Sequence, residues 1–138
     1  MAESDLNYQV VCETALKLAE NFGKHFSFAE QDIDELEEIL ETYHQDYSNH
    51  VCTEHEVWNV SVIWGIYLGQ VLIEKHIGAY GYCWKMEDGF PLLVKDGENK
   101  MSPITKVQKR ILNGMEDSVK SFYQIACMIA DGRFSLGK

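Results

Sequence analysis

The feature that most constrains this chain is the stretch from Val57 to Ile73, which is apolar on almost every helical face. Val57, Val60, Trp64, Leu68, Val71 and Leu72 form one stripe, while Val62, Ile63, Ile66 and Ile73 fall on the other sides. A helix without a polar face must be covered by several neighbours, so the fold has to be built around it. The stretch is near the minimum length for a membrane crossing. However, Asn59, Ser61 and Gln70 interrupt it, and Glu54, Glu56 and Glu74 flank it, so it reads as a buried helix over residues 54–75. Thr53 followed by Glu56 is a capping box that starts it. Gly65 and Gly69, one turn apart, are expected to let another backbone come close.

The flanking segments supply the cover. Tyr8, Val11, Cys12, Ala15, Leu18, Ala19 and Phe22 repeat at helical spacing, predicting a helix over 5–22 capped by Asp5 and closed by Gly23. Ser27 with Glu30 reads as a second capping box, opening a helix over 28–48 whose stripe is Ile33, Leu36, Leu40, Tyr43 and Tyr47. After Gly78 the period changes to two. Strands are predicted over 80–86 and 90–95, joined by the Asp88-Gly89 turn, with a further turn at Asp96-Gly97 and a third short strand near Lys100-Met101. Pro91 places one end of the second strand at an edge. Ser102-Pro103 starts a helix over 103–113. A break at Gly114, favoured over a kink, precedes a last helix over 115–131 that carries Met115, Val119, Phe122, Ala126 and Ile129 inward. Residues 133–138 read as a frayed tail. The expected fold is a single α+β domain, mostly α: three helices, a small antiparallel hairpin or meander, then two C-terminal helices.

Charge is segregated along the chain. Residues 25–74 hold eleven acids and no Lys or Arg, and seven of the acids lie between Glu30 and Glu41. Residues 75–138 hold seven acids and ten bases, and the whole chain has a formal net charge of −10. This balance argues against nucleic-acid binding, for which clustered positive charge is needed. Lys106, Lys109 and Arg110 are too few to reverse it. Helical spacing puts Asp34, Glu35, Glu38 and Glu41 on the side opposite the apolar stripe, facing solvent or a partner.

Catalytic readings find little support. His44, His50, Cys52 and His55 share a polar connection, but their spacing matches no zinc pattern, so no metal is expected. Cys52 beside a helix N-terminus would have a lowered pKa, yet no orienting third residue accompanies it. Glu54 and Glu56 are better explained as acids at a helix start, and Glu74 with His76 as surface groups or a pair at the hairpin entrance. No phosphate-binding glycine loop or nucleophile elbow is present, and no cofactor is expected. Trp58, Trp64 and Trp84 have core-like spacing. The four cysteines are scattered, and the acidic start of the chain has no secretory character, which together point to a reducing cytoplasm.

Three segments, WGIYLGQVLIEKHIGAYGYCW, DGFPLLVKDG and SPITKVQKRILNG, resemble small uncharacterised bacterial domains of the kind found beside polymorphic toxins as cognate immunity proteins. The resemblance covers residues 63–114 and rests on Trp64, Gly65, Gly69, Trp84, Gly89, Pro91, Pro103 and Gly114. It implies a small cytoplasmic protein that occludes a toxin.

The functional expectation is therefore a non-enzymatic cytoplasmic protein that binds a basic partner through Asp34, Glu35, Glu38 and Glu41, with Tyr43, Tyr47 or Trp58 as an aromatic anchor. The alternative is a ligand-binding domain or small enzyme with a pocket between the central helix and the hairpin, lined by Glu74, His76 and tyrosines.

Overall fold

A computed structural model describes residues 7–95 and 100–132. The described residues form five α-helices and a small sheet: α1 (Tyr8–Asn21), α2 (Asp32–Ser48), α3 (Glu54–Lys75), β1 (Cys83–Glu87), β2 (Phe90–Val94), β3 (Lys100–Met101), α4 (Pro103–Asn113) and α5 (Val119–Ala130). Short 3₁₀ turns occupy Ile77–Tyr80 and Met115–Asp117. The expected α+β, mostly α order is the observed one.

The α3 helix is the axis of the core. It starts and ends where its caps place it: Thr53 accepts from the Glu56 amide (3.1 Å), and the Glu56 carboxylate accepts from the Thr53 amide (2.8 Å). Trp64, Ile66, Tyr67, Leu68, Val71 and Leu72 are fully buried on it. By length and hydropathy alone α3 passes for a membrane span, but α1, α2 and α4 pack along it. Gly65 and Gly69 fix two of these contacts. A Cβ at Gly65 would lie 2.4 Å from Ile104 Cα, so the backbone of α4 rests directly on α3. A Cβ at Gly69 would lie 2.4 Å from Trp84 Cη2, so the hairpin's indole fills the space above it. Trp84 also stacks on Tyr8 (4.9 Å) and donates from Nε1 to Gln70 (3.1 Å).

The sheet is an antiparallel meander of order β1-β2-β3. Glu87 pairs with Phe90 across the two-residue Asp88-Gly89 turn, and both turn residues have positive φ (54° and 79°), the geometry that suits a tight hairpin. β3 pairs only with Leu93 and Val94, so Pro91 costs no hydrogen bond on that side.

Four boundaries differ from the sequence expectation. First, α1 begins at Tyr8, with Asn7 accepting from the Val10 amide (3.1 Å); Asp5 lies outside the described residues, as do the Asp96-Gly97 turn and the 133–138 tail. Second, α2 begins at Asp32, not at residue 28. Ser27 and Glu30 form no capping box, because Phe28 takes a left-handed φ of 61° and the buried Asp32 carboxylate accepts the Ser27 and Ala29 amides (2.9 and 3.1 Å) and the Tyr67 hydroxyl (2.7 Å). Third, β1 begins at Cys83 because Ile77–Tyr80 winds into a 3₁₀ turn closed by Gly81 (φ 98°). Fourth, the last helix begins only at Val119, with Ser118 as its cap. Its buried stripe is Val119, Tyr123, Ala126, Cys127 and Ala130; Phe122 and Ile129 are half-buried and Met115 points outward, 62% exposed.

Candidate functional site

Charge segregated in sequence is partly matched in space. α2 carries seven carboxylates and no base, and three cations from elsewhere reach them. Arg110 of α4 donates from Nε to Glu37 (2.7 Å) and from Nη2 to Glu41 (2.9 Å). Lys120 of α5 pairs with Asp34 (2.8 Å), and Lys24 pairs with Glu38 (2.7 Å). Four carboxylates thus share three cations, while Asp32, Glu35 and Asp46 have none in these pairs, and Asp32 is sealed inside its loop.

Glu37 is the junction of three helices. Besides Arg110, its carboxylate accepts from the Lys120 amide (2.9 Å) and the Ser118 hydroxyl at the start of α5. Burial by itself would push Glu37 up, but the Lys120 amide, the Ser118 hydroxyl and the Arg110 guanidinium together hold it below the usual carboxylate range. Sequence reading passed over Glu37 in favour of its neighbours, and nothing in the local pattern separates it from them.

The outer edge of α2 is the expected docking face. Asp34 and Glu38 are exposed, and Glu35 and Glu41 half-exposed. Beside them a shallow apolar depression of about 360 Å³ is lined by Glu37, Glu38, Glu41, Arg110 and Met115. Arg110 Nη2 also donates to Met115 Sδ (3.0 Å), a weak contact that links the exposed methionine to the buried guanidinium. Sequence reading turned Met115 inward because it continued the α5 period across Gly114.

The three expected aromatic anchors are half-buried and engaged elsewhere. Tyr43 packs on Phe22 (5.6 Å), and the Tyr47 hydroxyl donates to Glu54 (3.2 Å). Trp58 stacks on Phe90 (5.9 Å) and so belongs to the seam between α3 and the hairpin, not to the α2 face.

Two of the histidines serve the backbone. His44 donates from Nδ1 to the Ile111 carbonyl (2.7 Å) near the end of α4, and His50 has the left-handed conformation (φ 63°) that ends α2. Among the described residues no three His, Cys, Asp or Glu side chains are grouped to hold a metal ion. The Cys52 thiol is pushed up by burial and then by Asp46 and Glu56, against the lowering expected from the start of α3.

Over Gly69, in the region between α3 and the hairpin where the alternative pocket was expected, Trp84 fills the space. Glu74 and His76 are also separated. Glu74 lines a groove between α1 and α3 with Tyr8, Cys12 and Gln70. There burial pushes the Cys12 thiol up to about 12, with Glu74 adding to the effect. His76 lines a different cleft, of about 520 Å³, between α2 and α5. It donates from Nε2 to Asp131 (2.5 Å) and stacks on Tyr80 (5.7 Å). The same cleft takes in Glu30, Ile33, Asp34, Lys120, Tyr123 and Met128.

The landmark residues of the 63–114 resemblance hold packing positions: Gly65 and Gly69 under α4 and the hairpin, Gly89 in the turn, and Gly114 (φ 91°) against His44. Comparison with protein-family models, with curated proteins and with solved structures returns no match.

Proposed function

We propose that this chain is a non-enzymatic cytoplasmic binding protein that neutralises or regulates a basic protein partner, in the manner of an immunity protein, with the outer edge of α2 as its docking face. The carrying observation is that edge itself: carboxylates in excess of their internal cations, set beside an exposed methionine whose sulfur meets Arg110. Unmatched negative charge accelerates encounter with a basic surface, such as the active site of a nuclease or nucleotide-binding toxin, and an apolar contact then holds the complex. Met115 takes the anchoring part expected of Tyr43, Tyr47 or Trp58, because it is the exposed apolar side chain beside these carboxylates.

Glu35→Lys combined with Glu38→Lys tests this reading. For a basic partner captured at low salt, the association rate should fall by roughly tenfold or more, and the difference should shrink as salt rises. Met115→Gln should instead speed dissociation, with association little changed. An association rate indifferent to both charge reversals rejects the α2 face.

A further inference from the structure

We propose that the cleft between α2 and α5 binds a small organic monocation, an ammonium compound with an apolar body. The cleft, at about 520 Å³, is in the range of ligand sites. Its wall includes Ile33, Met128 and the ring of Tyr123, which give an apolar body somewhere to pack. Two carboxylates, Glu30 and Asp34, stand among the lining groups, and each is held in a particular way.

Tyr123 is only 7% exposed, and it spends its single donor on Glu30, an exposed residue, at 2.8 Å from Oε2. A buried hydroxyl thereby orients a surface carboxylate and leaves Oε1 as an acceptor. Such a carboxylate loses little freedom when it receives a cation, which is the advantage of preorganisation. Asp34 is met by the Nζ of Lys120 at 2.8 Å. The structure thus already places one ammonium group at the cleft, tethered by a flexible stem. Both members of that pair are more than half exposed (53% and 57%), so the lysine can swing out and yield its carboxylate to an incoming ligand. With Glu30 and Asp34 set against Lys120, and with His76 already paired to Asp131, the lining disfavours carboxylates and suits a single positive charge. The cleft shares no lining residue with the depression at Met115, although Asp34 belongs both to the cleft and to the docking edge of α2.

Titrating the full chain, ¹⁵N-labelled, with phenethylammonium tests it, with phenethyl alcohol and phenylacetate as neutral and anionic probes of similar shape. The amine should move the amide signals of Ile33 and of residues 120–128. The alcohol should bind roughly tenfold more weakly and phenylacetate more weakly still, as expected for loss of a charge-assisted hydrogen bond. Glu30→Gln, an exposed substitution, should bring the amine down to the alcohol's level. Lys120→Gln should strengthen amine binding by roughly threefold or more, because it frees Asp34 from its tethered competitor. Equal binding of the three probes, signal changes elsewhere on the chain, no saturation by roughly 10 mM amine, or indifference to Glu30→Gln would each overturn the assignment.

Discussion

Replacing Gly65 with alanine should destabilise the protein by about 2 kcal/mol or more and lower Tm by roughly 5 °C or more. Mid-helix glycine to alanine is ordinarily favourable by about 1 kcal/mol, so the sign itself is the test. The new methyl would sit 2.4 Å from Ile104 Cα and 2.8 Å from Ile104 N. These are backbone atoms at the start of α4, and they move only if the helix lifts off α3. Gly69→Ala should behave differently. Its obstacle is the Trp84 ring, at 2.4 and 2.5 Å, which a smaller side chain removes. Trp84→Phe should therefore cost less in the Gly69→Ala background than in the wild type, whereas trimming Ile104 leaves the Gly65 clash with its backbone in place. Chemical and thermal unfolding of the single and double variants measure all of this. A Gly65→Ala protein more stable than wild type would mean that α4 does not rest on α3 as described.

The second large effect concerns Arg110. Its side chain is 1% exposed, and Arg110→Ala strips Glu37 of its cation while Glu37 stays largely buried. Breaking a buried pair from one side costs about 3–5 kcal/mol, a large part of the stability of a domain this size. Glu41→Gln removes a bond to the same guanidinium, but Glu41 is 39% exposed, so about 1 kcal/mol or less is expected. Arg110→Met with Glu37→Leu should recover much of the loss, since no unpaired charge is left inside. The Ser118 and Lys120 donors lose their acceptor in that double variant, which limits the recovery by about 1 kcal/mol.

The same junction sets a pH dependence. Glu37 has a folded pKa below its unfolded value, so its contribution is complete above the ordinary carboxylate range, near pH 4.5. It is lost as pH falls through the lower folded value. The gap in Tm between wild type and Glu37→Gln should therefore be constant from pH 7 down to about pH 5 and close below that. A gap that widens on acidification would contradict the assignment.

Much of the fold was legible because its signals are local. The bounds of α3 follow from Thr53 and Glu56 at one end and the return of polar residues at the other. The hairpin follows from Asp88-Gly89, and the start of α4 from Ser102-Pro103. The errors arose where a distant group overrode a local pattern. Ser27 and Glu30 spell a capping box, but Tyr67, far along the chain on α3, fixes Asp32 as the acceptor and Tyr123 takes Glu30. Met115 continues the apolar period of α5, yet Gly114 and Ser118 break the helix and turn it out. The candidate site was half legible. Spacing alone placed Asp34, Glu35, Glu38 and Glu41 on one edge. It could not show that Arg110 and Lys120 reach that helix, because an ion pair leaves no periodic trace in either partner.

The acidic helix has a consequence for the order in which the chain assembles. Asp34 and Glu38, and likewise Glu37 and Glu41, are like charges one turn apart, and each such pair opposes an isolated helix by about 0.2–0.5 kcal/mol. Arg110 and Lys120, which offset that repulsion, come some seventy to ninety residues after the carboxylates they meet. On a growing chain, Lys24 is the one of the three cations paired with α2 to be made before it, so most of the repulsion within residues 32–48 is at first without its offset. α2 receives Arg110 and Lys120 only when the C-terminal third emerges, so the protein's most highly charged element is completed by the segments made last.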